Sequence, residues 1–192
     1  MKFFAFFIFA VFASQSLAQV EPSQAKLLGL VVTEADMDKV RRQLNNLGGF
    51  KQDRATVKHR NIDKFFTYSN LRDSYYIEFR YDANGKVVSA KRLYRPSGER
   101  LINEYRDLDT RDIARQMIQT LGQPNRIETK ARLGLPGYPS YIWQDEQITI
   151  RIDRVGSDRY APIFVEYLVN TDPFVEKNSD KEQNLAQQQR AF

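Results

Sequence analysis

With one histidine and no cysteine in 192 residues, the chain has few parts from which to build an active site. His59 stands in the charged run KHRNID, four residues before Asp63. An imidazole oriented by a carboxylate beside a serine is the constellation of acyl transfer, and Ser69 or Ser74 would supply the nucleophile. Neither serine sits in a nucleophile-elbow sequence, so His59 is expected to be a solvated loop residue. The lack of cysteine excludes thiol catalysis and removes half of the usual zinc donors. DANG, residues 82–85, is similar to the start of a calcium loop, but its twelfth position, where a glutamate is needed, is Leu93. Asp145 and Glu146 are adjacent carboxylates that a turn between two strand-like runs explains. The expectation is a protein that is not an enzyme and carries no cofactor and no metal. Glycosidase-type carboxylate pairs can lie far apart in sequence, which keeps a hydrolase as the alternative.

The first residues, MKFFAFFIFAVFASQSLAQ, set the compartment. Lys2 precedes an apolar run from Phe3 to Ala13, and Ser16-Leu17-Ala18 offers small residues at the positions a signal peptidase reads. Cutting is expected before Gln19. The apolar run is shorter than the ~20 residues that span a bilayer, so a soluble, periplasmic or secreted protein is predicted. Lys and Arg number 29 against 24 Asp and Glu. Basicity in a cytosolic chain would suggest nucleic acid; export argues for an acidic protein surface or an acidic envelope polymer instead, and for no nucleic acid.

Two helix signals punctuate the rest of the chain. VTEADMDKVRRQLNNLGG offers Thr33 as N-cap, a Val32–Met37 staple, and Met37, Val40, Leu44 and Leu47 at helical spacing before Gly48-Gly49. LDTRDIARQMIQTLGQP offers Asp109 as cap with Asp112 three residues on, and Ile113, Ala114, Met117, Ile118 and Leu121 as its stripe before Gly122 and Pro124. Strand patterns succeed each helix: RATVKH, KFFTYS, YYIEFRY and KVVSAKRLY, then NRIETKA, SYIWQ, QITIRID and PIFVEYLV. Asn84-Gly85 predicts a two-residue type I′ hairpin. That register sets Tyr81 opposite Val88, Phe79 opposite Ala90 and Tyr75 opposite Tyr94 on the core face, with Glu78 opposite Lys91 outside.

The predicted fold class is α+β, two tandem repeats, each a helix packed on an antiparallel four-stranded sheet. The expected division is a signal peptide at 1–18, a first repeat at 19–98, a second at 99–171 and a polar, Gln-rich tail at 172–192.

The helix ending in TLGQP, with strands after it that include the aromatic YIW, resembles the small modules of outer-membrane assembly lipoproteins. Two in tandem in an exported chain resemble the β-lactamase inhibitory proteins. Two features depart from these patterns: the lipoproteins' anchoring cysteine is absent, and NLGGF in the first half lacks the proline. The resemblance implies non-catalytic protein–protein recognition through an exposed sheet face, the partner being another envelope protein or an extracellular enzyme. By strand alternation, Tyr76, Arg80, Lys91, Leu93, Arg151 and Phe164 point away from the core. With Trp143, whose face the sequence leaves open, they are the candidate partner-binding residues, since aromatic side chains and arginine dominate interface energetics.

Overall fold

The computed structural model describes residues 20–58, 61–95, 108–131, 137–156 and 161–170. The expected signal peptide, the tail and His59 lie outside these residues.

Each helix starts where a carboxylate can satisfy free N–H groups. Helix α1 spans Met37–Leu47 and is capped by Asp36, whose side chain accepts from the Lys39 N–H. Thr33, the expected cap, instead lies in a 3-10 turn at Val32–Glu34 and donates its hydroxyl to the Ser23 carbonyl at 3.0 Å. The acidic side chain adjoining the helix has taken the capping role. Helix α2 spans Thr110–Leu121, and Asp109 and Asp112 form the reciprocal capping box read from sequence.

The strands are β1 (Lys26–Leu27), β2 (Leu30–Val31), β3 (Phe50–Gln52), β4 (Ile62–Thr67) and β5 (Ser74–Tyr81). They continue with β6 (Val87–Tyr94), β7 (Arg126–Lys130), β8 (Tyr138–Gln144), β9 (Ile148–Arg154) and β10 (Ile163–Val169). The expectation of two helix-plus-four-strand repeats is overturned. Among the described residues the protein is mostly sheet: one antiparallel sheet of eight strands in the order β3-β4-β5-β6-β10-β9-β8-β7, with β1 and β2 forming a second, two-stranded sheet. Strands β6 and β10 would have been exposed edges of separate sheets; they pair antiparallel, from Phe164 opposite Leu93 to Leu168 opposite Ser89. That pairing satisfies two rows of backbone groups that would otherwise face solvent.

Register places Asp63, Phe79, Ala90, Tyr167, Ile150 and Trp143 in one row across six strands. Arg41 of α1 reaches Asp63 at one end of that row. At the other end the Trp143 Nε1–H donates to the carbonyl of Gly122, the C-cap of α2, at 2.8 Å. Both helices therefore cover the same sheet face. Ile77, Phe79, Ala90, Ile148, Ile150 and Ile152 are fully buried there, and each large side chain contributes about 1.5–3 kcal/mol by leaving water.

The β5–β6 hairpin departs from the type I′ expectation. Gly85 alone in the turn has positive φ, at 77°, and Asp82 and Lys86 close the loop through Asp82 N–H to Lys86 O and Gly85 N–H to Asp82 O. The turn is thus one residue longer, with glycine in the left-handed position. Tyr81 consequently faces Val87, and the register shifts before Arg80 meets Ser89. A second shift sets Ser74, not Tyr75, opposite Tyr94. Tyr75 is the extra residue of this bulge and leaves the core face, 40% exposed. Phe79–Ala90, Tyr76–Leu93 and Glu78–Lys91 pair as the sequence indicates.

Among the described residues no helix is long and apolar enough to cross a membrane.

Candidate protein interface

Several of the polar side chains weighed from sequence are engaged in structural hydrogen bonds. Asp63 is fully buried and accepts from Arg41 Nε at 2.8 Å, Arg41 Nη2 at 2.9 Å, Gln52 Nε2 at 2.6 Å and the Tyr81 hydroxyl at 3.0 Å. Burial, and then the charge of Asp63, push the Tyr81 phenol far above its usual range. Ser74 is also fully buried, donating to Asp73 and accepting from Arg92 Nε. Asp82 holds the hairpin by accepting from the N–H groups of Asn84 and Lys86. Asp145 caps its turn, accepting from Gln147 and Ile148, and fastens the N-terminal segment through Ser23 N–H at 2.6 Å. Burial works against its ionisation, but these hydrogen bonds outweigh it and hold the carboxyl below its usual value. Among the described residues there is no cluster of three or more His, Cys, Asp and Glu that could hold a metal ion.

The sheet face opposite the helices is built from two neighbouring rows. One alternates in charge across five strands: Lys64, Glu78, Lys91, Glu166, Arg151. Such cross-strand pairs attract: Arg151 Nη2 meets Glu166 at 2.8 Å, and Lys91 approaches its other oxygen at 3.9 Å. Glu78 is held by Arg80 at 3.0 Å, from two residues along its own strand. The other row is apolar: Phe66, Tyr76, Leu93, Phe164. Cations of the first row lie over rings of the second, Lys91 Nζ 3.9 Å from the Phe164 centroid and Lys64 Nζ 3.9 Å from that of Tyr76. This is a cation–π arrangement. Burial, then the charge of Glu78, raise the Tyr76 phenol above its usual value. Toward β8, Tyr138 donates to Asp153 at 2.8 Å; burial and this bond push its phenol up to about 12.

The two ends of the apolar row differ. Leu93 and Phe164 are nearly closed off, 9% and 6% exposed. Phe66, at 43%, packs edge-on against half-buried Tyr76 with ring centroids 6.4 Å apart. Tyr68, 85% exposed, lies just past the end of β4, and the bulge turns Tyr75 outward beside Tyr76. Lys64, opposite Glu78 in the register, has its Nζ over the Tyr76 ring and 5.4 Å from the Phe66 centroid. An exposed aromatic cluster around a cation with free N–H donors can take a carboxylate and an apolar side chain together.

No protein-family model matches the chain. Searches of curated proteins and of solved structures found no match either.

Of the residues singled out from sequence, Tyr76, Arg80, Lys91, Leu93, Arg151 and Phe164 share this helix-free face. Trp143 does not. It is 1% exposed in the core, stacked on Tyr141 with centroids 6.4 Å apart. Lys64, Phe66, Tyr68 and Tyr75 are not apparent from sequence. KFFTYS has two consecutive phenylalanines, so alternation leaves its faces ambiguous. Alternation places Tyr75 in the core, because nothing local in SYYIEF marks a bulge.

Proposed function

We propose that the chain is an exported, non-catalytic protein-binding module, periplasmic or secreted, that recognises its partner through the helix-free sheet face. It would act as an inhibitor or an envelope accessory protein. The observation that carries this reading is the corner where Lys64 Nζ lies over the Tyr76 ring and near that of Phe66, which is itself 43% exposed. By register, the face presents Lys51, Lys64, Arg80, Lys91, Arg126, Lys130 and Arg151 against Glu78, Glu128, Asp153 and Glu166. This excess of positive charge favours a partner loop that offers a carboxylate beside an apolar side chain. Alternating signs along the central row suit such a local anion better than a continuous polyanion.

The test compares the protein with its Phe66→Ala and Lys64→Glu variants as baits on an extract of its own envelope. The reading holds if a protein retained at high salt by the wild type is lost from both variants while their melting is unchanged. An aromatic anchor removed from an interface costs about 2 kcal/mol, roughly thirtyfold in affinity. Retention of a polyanion that disappears on adding salt, equal capture by both variants, or turnover of a glycan or cell-wall substrate would each overturn it.

A further inference from the structure

On the opposite face, a cleft of about 210 Å³ opens above the junction of β6 and β10. It arises because α1 packs toward β3 while α2 packs on β8 and β9, leaving the junction roofed by the short segment that carries β1. The floor is Arg92 and Tyr94 from β6 with Val165 and Tyr167 from β10; Leu27 and Leu121 form buried walls. Lys26, Gln116 and Thr120 stand exposed at the rim.

We propose that this cleft is a binding site for a small carboxylate with an apolar body, of the size of a medium-chain fatty acid such as octanoate. Three observations define that ligand. The Tyr167 side chain is 6% exposed and lines the cleft, and no hydrogen bond from its hydroxyl to another described residue is seen. Arg92 donates to Asp73 and Ser74 and lies over the Tyr94 ring at 4.3 Å. Tyr94 lines the cleft beside it, and its phenol can donate a hydrogen bond there. Phenols are O–H donors at neutral pH, and burial raises both of these further above their usual value. The lining holds Lys26 and Arg92, the latter already paired with Asp73 at 2.8 Å, and no Asp or Glu, so an anionic head is favoured over a cationic one. Leu27, Leu28, Met117, Leu121 and Val165 supply the apolar surface for the body. The volume equals about seven liquid waters, which suits a small ligand and excludes a lipid with a headgroup.

The test is calorimetric titration with sodium octanoate below its micellar range and with 1-octanol as the neutral control. Saturable one-to-one binding of octanoate is expected, with octanol at least about tenfold weaker. Tyr167→Phe should lower octanoate affinity about tenfold, the effect of one hydrogen bond to a charged group, with unchanged melting. Should that variant not fold, Thr120→Trp at the rim tests the site by obstruction and should abolish binding. Absence of saturable octanoate binding at millimolar concentration, octanol binding as tightly as octanoate, or full affinity in a folded Tyr167→Phe or Thr120→Trp protein would overturn the proposal. Because the cleft lies on the helix side, Phe66→Ala should leave octanoate binding unchanged; loss there would place the ligand on the other face and also overturn it.

Discussion

Replacing Asp63 by alanine should be among the most damaging single changes in this protein. The carboxylate is fully buried and receives four hydrogen bonds, two of them from the Arg41 guanidinium and the others from Gln52 and Tyr81. Together they tie α1, β3 and β5 to β4. Breaking a buried ion pair by deleting one partner costs about 3–5 kcal/mol, because the other charge is left without compensation. Arg41 is 37% exposed at its side chain and can turn toward water, which points to the lower end, about 3 kcal/mol. For a domain of this size each kcal/mol moves the melting midpoint by about 2–4 °C, so a fall of about 6–12 °C is expected. Urea unfolding followed by circular dichroism measures it, together with Asp63→Asn, which keeps the shape and one acceptor and should lose less. The double variant Arg41→Met with Asp63→Leu removes both charges and should recover most of the loss, since apolar replacement of a whole buried pair is often neutral. If Asp63→Ala melts within about 1 kcal/mol of wild type, the network is not what holds α1 to the sheet. If the double variant is as unstable as Asp63→Ala, the cost is packing and not charge.

Trp143→Ala should cost about 3–5 kcal/mol of stability, whereas Tyr76→Ala on the other face should cost under about 1 kcal/mol and act on partner binding; thermal melts in the reverse order would invert the face assignment. Tyr76, Tyr81, Tyr94, Tyr138 and Tyr167 are all held above the usual phenol value, so the folded chain keeps these protons more tightly than the unfolded chain. Their contribution to stability is complete below pH ~10 and drains as pH rises toward about 12, the folded value for Tyr138. A spectrophotometric titration should show a phenol ionisation step above pH ~10 that coincides with unfolding; ionisation of these five near pH 10 with the fold intact would refute this. At the cap of α2, burial disfavours the Asp109 charge, but hydrogen bonds from Thr110 and Arg111 outweigh it and hold the carboxyl below 3.8. The unfolded chain therefore binds the proton first on acidification, and the cap's stabilisation is full above that value and lost as pH falls through the folded one. Asp109→Ala should cost about 1 kcal/mol at neutral pH. The gap in melting temperature from wild type should close in acid; a gap constant down to pH 2 would show that the charge plays no part.

Local periodicity was enough to place both helices and most strands. Val40 and Leu44, or Ile113 and Leu121, recur at helical spacing before a glycine, and Ile148, Ile150 and Ile152 alternate. Asp109 with Asp112 is a cap within one helical turn, and Tyr76–Leu93 is fixed by the nearby hairpin. Six of the seven candidate interface residues reach their face by that same alternation. What lay beyond reach depended on partners remote in the chain. Whether β6 is an edge or pairs with β10 is decided by backbone groups that no side-chain pattern advertises, so two sheets were expected where one formed. Trp143 has an apolar body with a polar tip and suits either face; the carbonyl of Gly122, freed by the end of α2, drew it into the core. A bulge adds one residue without changing composition, so Tyr75 could not be told from a core residue. Lys64, Phe66 and Tyr76 become one site only when β4 lies beside β5, because a cation's neighbours across a sheet are set by register.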